Sequence, residues 1–337
     1  MLAGSTFLAA VAFTRTAFAQ AGAFIVGNYG GSYGERFERL IDRPIAEKHQ
    51  LQLQPFQGDG PSFKAKLLIE KSLPRASMDI VHIIDADAYD LSKEDVLETL
   101  DPAKIPNLAN VIPGLATPIY APWAVAVMII VYDPKQVTTP PTSYADLWKP
   151  EYAGKVGLAD ILAEVYPTVA ALVDGKKITE TDGSLNKLLE LKKAVQPRIY
   201  PTHEALAAAF KNGEVSIAIE YKARAAQWKR DGLQLDAVWP SEGALANSFG
   251  VGIPLRAGNK DAANDYVNTM LSPETIGALC RESFYSPATT NAALSPEEMA
   301  VIAIPKEQEE KLNVVDPAHQ AANVDAWLKF WDTDFKA

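Results

Sequence analysis

The chain has 337 residues, 48 % hydrophobic and 22 % charged, which is ample for packed cores in one large or two ordinary domains and excludes disorder. Thirty-two basic against forty-two acidic side chains leave a formal charge of -10, which argues against a nucleic-acid or anionic-membrane partner. One cysteine, Cys280, excludes an intramolecular disulfide and a cysteine-rich zinc site, and four scattered histidines offer little to a metal, so no metal or cofactor is expected.

Residues 1–19 read as a secretory leader. An apolar run from Phe7 to Phe13 precedes Ala17-Phe-Ala19, with cleavage expected before Gln20, although Arg15 interrupts the run and no basic region precedes it. No later stretch reaches about 18 consecutive apolar residues. The nearest, 121–131, has Pro122 near its start, so membrane insertion is not expected. A periplasmic location follows from that reading.

Ala23-Phe-Ile-Val26 is a short apolar strand, followed by the glycine loop Gly27-Asn-Tyr-Gly-Gly-Ser-Tyr-Gly34. Phe37, Leu40, Ile41 and Ile45 then share one helix face, with Pro44 expected to kink or end the helix. Residues 51–55 alternate as a strand, 63–71 are helical, 79–84 form a strand and 86–91 open another helix. Strand, loop and helix in this rhythm predict a parallel sheet with helices on its faces. A second unit begins after the apolar strand 125–133 and the proline-rich stretch 137–143. It holds a short helix at 144–147, a strand at 154–159, helices at 168–173, 185–195 and 203–210, and a strand at 214–220. Strands at 235–239 and 248–253 have no sheet of their own and are expected to join the two sheets already described. The remainder, from Asp261, reads as helical, with Cys280 on a buried helix face.

Several stretches in this order resemble the bacterial extracellular solute-binding proteins of ABC importers, above all the spermidine/putrescine-binding group. They are Asn28-Tyr-Gly-Gly31, Ile105-Pro-Asn-Leu108, Pro141-Thr-Ser-Tyr-Ala-Asp-Leu-Trp148, Tyr152-Ala-Gly-Lys-Val-Gly-Leu-Ala-Asp160, Gly213-Glu-Val-Ser-Ile-Ala, Trp239-Pro-Ser-Glu-Gly243, Leu271-Ser-Pro-Glu274 and Tyr285-Ser-Pro287. The resemblance implies an α/β, two-lobed, type II-like periplasmic-binding-protein fold, each lobe a central, mostly parallel sheet flanked by helices, with a ligand cleft between. On that basis lobe 1 is placed at 22–129 plus 221–258 and lobe 2 at 130–220 plus 259–337. It also implies delivery of a small solute to an ABC permease by a monomer.

Candidate contacts lie at strand ends, where open α/β sheets bind ligands. Tyr29, Gly30, Gly31 and Ser32 form the loop entering the first helix. The spacing is not GxGxxG, and no phosphate-loop lysine follows, so a nucleotide is not expected. Asp59 lies at the next strand-to-helix junction, as a ligand contact or a helix cap. Asp85 and Asp87 flank the third strand, one toward the cleft and one capping. Trp123 would offer a cleft aromatic face to a cation, or pack in the core. By resemblance, Asp160 and Glu164 supply acidic contacts to a polyamine, and Glu220 stands where an aromatic is usual. Lys222 and Arg224 beside it oppose a polycation and point instead to a carboxylate, unless both face solvent. The expected ligand is a polyamine or related amine, with a zwitterionic or carboxylated molecule, such as an opine or amino-acid derivative, as the alternative. Ferric binding is disfavoured because no adjacent tyrosine pair exists. An enzyme using cleft carboxylates is the weaker alternative, since no GxSxG or HExxH motif is present.

Overall fold

The computed structural model describes residues 22–337; the leader read at 1–19 lies outside the described residues. β1 (Ala23–Asn28) buries Phe24 and Val26. A helix then runs to residue 48 in three pieces: α1 (Gly31–Phe37), a π-helical turn (Glu38–Asp42) and α2 (Arg43–Lys48). The wide turn lies just ahead of Pro44, whose ring lacks an N–H and crowds the preceding turn, so the helix continues past the proline. Phe37, Ile41 and Ile45 stay buried on one face. β2 (Gln52–Gln57), α3 (Gly60–Glu70), β3 (Ile80–Ile84) and α4 (Asp85–Ser92) follow, with β1 parallel to both β2 and β3.

β4 (Ala121–Tyr132) leads into β5 (Val156–Ala159), α5 (Tyr166–Val173), α6 (Ser184–Val195), β6 (Arg198–Tyr200), α7 (His203–Lys211) and β7 (Ile217–Tyr221). Here β5 is parallel to both β6 and β7. The chain returns through α8 (Lys222–Arg230), β8 (Asp236–Val238) and β9 (Leu245–Gly252). It closes with α9 (Lys260–Met270), α10 (Pro273–Ser283), β10 (Ser286–Pro287), α11 (Pro296–Ile302), α12 (Lys306–Glu309), β11 (Asn313–Val314) and α13 (Pro317–Phe330).

The strands run β2-β1-β3-β9-β4-β7-β5-β6, with β8 and β10 beside β4 and β11 beside β9, so the late strands do join the earlier sheets. Parallel pairing holds in the outer strands of each lobe. At the centre β4 is antiparallel to β7, β8 and β9, and β3 to β9, because both long strands pass from one lobe into the other. The start of β4 pairs with Phe249–Val251 and its end, Met128–Tyr132, with β7. The two lobes therefore share one continuous, mixed sheet.

The assignment of all of 259–337 to lobe 2 needs correction. α9 and α10 pack on α1, α2 and the π turn of lobe 1. His49 Nε2 and Asp265 Oδ2 are 2.9 Å apart, Asn107 donates to the Asn268 carbonyl at 2.8 Å, and Arg39 reaches Glu282 at 2.5 Å. The lobe 1 core carries a one-way chain of hydrogen bonds. Trp123 Nε1 donates to Tyr33 (3.2 Å), Tyr33 to His82 Nδ1 (2.8 Å), His82 Nε2 to Tyr266 (3.0 Å) and Tyr266 to Asp42 (2.9 Å). The direction follows because an indole only donates and a carboxylate only accepts. Burial pushes His82 down to about 3, so its ring is neutral. Cys280 is buried on α10, and burial pushes its thiol up.

Candidate functional site

Where β4 and β9 pair, four rings gather: Tyr29, Tyr221, Phe249 and Tyr285. Phe249 stands among the others, its ring centre 6.2 Å from Tyr29, 6.0 Å from Tyr221 and 5.3 Å from Tyr285, in edge-to-face arrangements. Tyr33 backs Tyr29 at 5.1 Å. Gly30 and Gly31 have φ of +69° and +53°, and a Cβ on Gly30 would strike the Gln57 side chain, so the loop that carries Tyr29 requires glycine at that point. The Tyr29 hydroxyl is out of solvent contact and has no hydrogen-bond partner among the described residues.

Acid gathers at one end of these rings. Asp85, opening α4, accepts from Ser248 N (2.8 Å), Ser248 Oγ (3.1 Å) and Ala86 N (2.9 Å). Asp87, two residues further along α4, has no such set of donors, and burial pushes it up to about 6. Glu164 comes from lobe 2, just ahead of α5. Burial, then the charge of Asp87, push it up to about 7, while Gln320 of α13 and Lys64 work the other way. Lys64 gives its Nζ to Asp90 at 2.7 Å, and its charge also lowers Asp87 and Glu164.

Positive charge gathers at the other end. Arg224 on α8 and Arg36 on α1 both act on the Tyr285 hydroxyl, and Arg36 is pushed down by burial and by Arg224. Each leaves a buried Nε without a hydrogen-bond partner. Arg224 reaches Glu204 only at 3.3 Å and Gln227 at 3.4 Å, and Arg36 lies 3.7 Å from Glu282. Tyr221 links the two ends, since burial, Tyr285, Glu164 and Asp85 all act on its hydroxyl.

Of the residues singled out in the sequence, Tyr29, Asp85, Asp87, Glu164 and Arg224 are brought together here. Gly30 shapes the loop, whereas Gly31 and Ser32 are exposed at the start of α1. The other positions require correction. Asp59 is exposed and caps α3, accepting from Ser62 N at 2.9 Å. Trp123 is fully buried, with its ring on Phe37 and Tyr285. Asp160 accepts from Trp331 Nε1 at 2.6 Å and pairs with Lys336, tying down the C-terminus. Glu220 has no exposure; it accepts from His203 Nδ1 and from Tyr221 N, both at 2.7 Å. Lys222 donates to the carbonyls of Val301 and Ile302 at 2.8 Å each, and burial lowers it to about 8. The expected acid and base at the end of β7 therefore serve the protein's own interior.

Sequence reasoning missed Arg36, Tyr221, Phe249, Tyr285 and Gln320 as cleft residues. Tyr221 had a signal, an aromatic one position beyond Glu220. Among the described residues no three His, Cys, Asp or Glu side chains gather as a metal site. A hollow of about 510 Å³ lined in part by Lys176, Lys177 and Asn313 lies apart from all these groups.

The sequence matches the family model described as bacterial extracellular solute-binding protein over residues 41–306. It is 29 % identical over 229 residues to the spermidine/putrescine-binding periplasmic protein of Escherichia coli K12, covering 61 % of this chain and 63 % of that one. The chain thus matches just under two thirds of that relative's length. It is 25 % identical over 290 residues to the gamma-aminobutyric acid-binding protein of Pseudomonas aeruginosa, covering 82 % of this chain and 80 % of that one. Among solved structures, the Atu4243-GABA receptor superposes with a TM-score of 0.81 at 16 % identity, covering 94 % and 98 % of the two chains. The binding protein MotA from A. tumefaciens B6, in complex with glucopine, gives 0.77 at 23 % identity, covering 93 % and 99 %. These likenesses establish the α/β, two-lobed periplasmic-binding-protein fold.

Proposed function

The chain belongs to the bacterial extracellular solute-binding protein family, and on that premise we propose that it captures a small dipolar solute, bearing an ammonium and a carboxylate, in the periplasm. The monomer then hands this solute to the permease of an ABC importer. The observation that carries the reading is the pair of guanidiniums, Arg36 and Arg224, beside Tyr285, each with a buried Nε that makes no hydrogen bond, that of Arg36 having only the Glu282 carboxylate at 3.7 Å. Guanidinium is the group best shaped to hold a carboxylate with two parallel hydrogen bonds. At the far side of the rings, Asp85, Asp87 and Glu164 suit an ammonium, and the aromatic faces suit the methylenes between the two charges.

A polyamine is the second reading, favoured by the acidic end and by the E. coli relative's name. It leaves one ammonium facing two guanidiniums, which like-charge repulsion opposes. Calorimetry with γ-aminobutyrate, putrescine and glutarate separates the readings. The dipolar solute is expected to bind at least ten-fold more tightly than either symmetric one. Putrescine binding more tightly than γ-aminobutyrate would overturn the proposal.

A further inference from the structure

Two stretches singled out in the sequence, Pro141-Thr-Ser-Tyr-Ala-Asp-Leu-Trp148 and Trp239-Pro-Ser-Glu-Gly243, lie outside the site described above. The structure joins them at the boundary between the lobes. β8 and β9 both run antiparallel to β4, with Val238 opposite Ile130 and Leu245 opposite Met128. Residues 239–244 therefore leave the sheet opposite Ile129 alone, and the strand that returns beside β4 is broken at that point.

Tyr144 fills the break. It is wholly buried, and its hydroxyl donates to the Met128 carbonyl at 2.8 Å and accepts from Leu245 N at 3.2 Å, so it ties β4 to β9 at their last pair. Tyr144 opens a 3-10 turn (Tyr144–Trp148) of lobe 2, and the Glu242 carboxylate sits at the start of that turn. It accepts from Ser143 Oγ at 2.5 Å and from Tyr144 N at 3.3 Å, while Ser241 N donates to the Thr142 carbonyl at 2.8 Å. The segment leading into β11 is fastened to the same place. Asn313 Nδ2 donates to the carbonyls of Glu242 (2.9 Å) and Gly243 (3.0 Å), and Asn313 N to that of Ala244 (2.9 Å). Gly243 has φ of +85°, and a Cβ there would strike the Lys311 carbonyl, so only glycine lets the two segments approach this closely.

We propose that Tyr144 is the joint about which the lobes close. Its hydroxyl keeps β4 and β9 connected while both strands bend at the break, and Glu242 and Asn313 clamp the connecting segments to lobe 2, so that the bend is confined there. The inference rests on the reading of the protein as a solute binder whose lobes move. A backbone ladder resists bending, because each N–H must stay aimed at one carbonyl. A phenol oxygen turns about its own C–O bond and holds a donor and an acceptor over a range of angles. Chain-element ends of this kind are where hinges absorb their change in backbone angle. Tyr144 is thus a positioning residue. Its surface is buried and its hydroxyl occupied, so it has nothing to offer a solute. It nevertheless sets how Phe249, further along β9, meets Tyr221, which stands opposite Met128 on β7.

The test uses the full chain with spin labels at Glu47→Cys on α2 and Lys193→Cys on α6, both exposed positions, the native Cys280 being buried. Pulsed electron paramagnetic resonance of the empty protein reads the distance between the lobes. Tyr144→Phe keeps the ring and removes the hydroxyl, and a distance distribution about twice as broad as the parent's is expected. Calorimetry with γ-aminobutyrate and its five-carbon homologue is expected to show both affinities lowered by one common factor, roughly ten-fold, as the closed form becomes less populated. A lower urea midpoint with an unchanged distribution is what a purely structural tyrosine gives, and it overturns the inference. A loss confined to one of the two probes would mean that Tyr144 touches the solute, and overturns it as well. Asn313→Ala, which cuts both bonds to the 242–243 turn, is the second variant should the first not fold, with the same broadening expected. If neither probe binds, the proposed function fails, and the distance distribution of the empty protein still decides the inference.

Discussion

Replacing Glu220 by alanine tests whether this buried acid is structural. Its carboxylate is wholly buried and accepts two hydrogen bonds of 2.7 Å, from His203 Nδ1 and the Tyr221 backbone N–H. The alanine variant strands both donors away from water, and breaking such a buried arrangement costs about 3–5 kcal/mol. With a urea slope of about 3 kcal/mol/M, the unfolding midpoint falls by roughly 1–1.7 M. Tryptophan fluorescence in a urea titration reads it. Glutamine keeps an acceptor for Tyr221 and lets His203 adopt its other tautomer, so a smaller loss, about 1–2 kcal/mol, is expected. Both folded variants are expected to hold γ-aminobutyrate within about three-fold of the parent. An alanine variant as stable as the parent, but a hundred-fold weaker for the solute, would return Glu220 to the binding site and refute the argument.

Arg224→Ala is expected to weaken γ-aminobutyrate binding about 10–100-fold, about 1.4–2.8 kcal/mol by calorimetry, and to leave putrescine unchanged or tighter. Lys222→Met removes the two bonds to Val301 and Ile302; proteolysis within 296–304 is expected to accelerate while affinity stays within about two-fold. Asp42 is buried and pushed up to about 7 by that burial, well above an unfolded aspartate. The folded chain therefore binds this proton more tightly than the unfolded one, so stability falls as pH rises from about 4 through 7. Melting temperatures of Asp42→Asn against the parent between pH 5 and 8 are expected to show a flatter decline in the variant, and an identical decline would contradict this assignment.

Much of the fold was legible because alternation and helical spacing mark buried faces, as at Phe37, Ile41 and Ile45. α8 escaped notice because its buried face is largely alanine, Ala223 and Ala225, with Gln227 and Trp228, so its sequence looks polar throughout. The start of β4 was hidden by Pro122, which the sheet accommodates through a register shift between Pro122 and Ala124. In the site, the ends of β1, β3 and β5 were readable as places for ligand contacts, and Tyr29, Asp85 and Glu164 gather there. At β7 the reading slipped by one residue. Side chains alternate along a strand, so Glu220 turns inward while Tyr221 faces the cleft. Phe249, Tyr285 and Arg36 meet only through the crossing of β4 and β9, a long-range pairing that no local pattern announces.

On the proposed reading, that crossing also gives the cleft a way to discriminate. Each charged end draws from two walls: Asp85 and Asp87 on α4 against Glu164 ahead of α5, and Arg36 on α1 against Arg224 on α8. Under that reading, closing the empty cleft sets Glu164 of lobe 2 against Asp85 and Asp87 of lobe 1, while Arg36 and Arg224, both on lobe 1, face each other whether the cleft is open or closed. A pair of unit charges near a protein surface repels by roughly 1–4 kcal/mol at contact range. A diamine relieves the acidic end and aggravates the basic one, and a diacid does the reverse. Under the proposed function, only a solute with opposite charges at its two ends relieves both, and its ammonium removes the repulsion that closure brings to the acidic end. Lengthening the probe from γ-aminobutyrate to its five- and six-carbon homologues measures the separation the rings enforce. Affinity that is indifferent to that length would mean that the two charged ends do not act on one ligand.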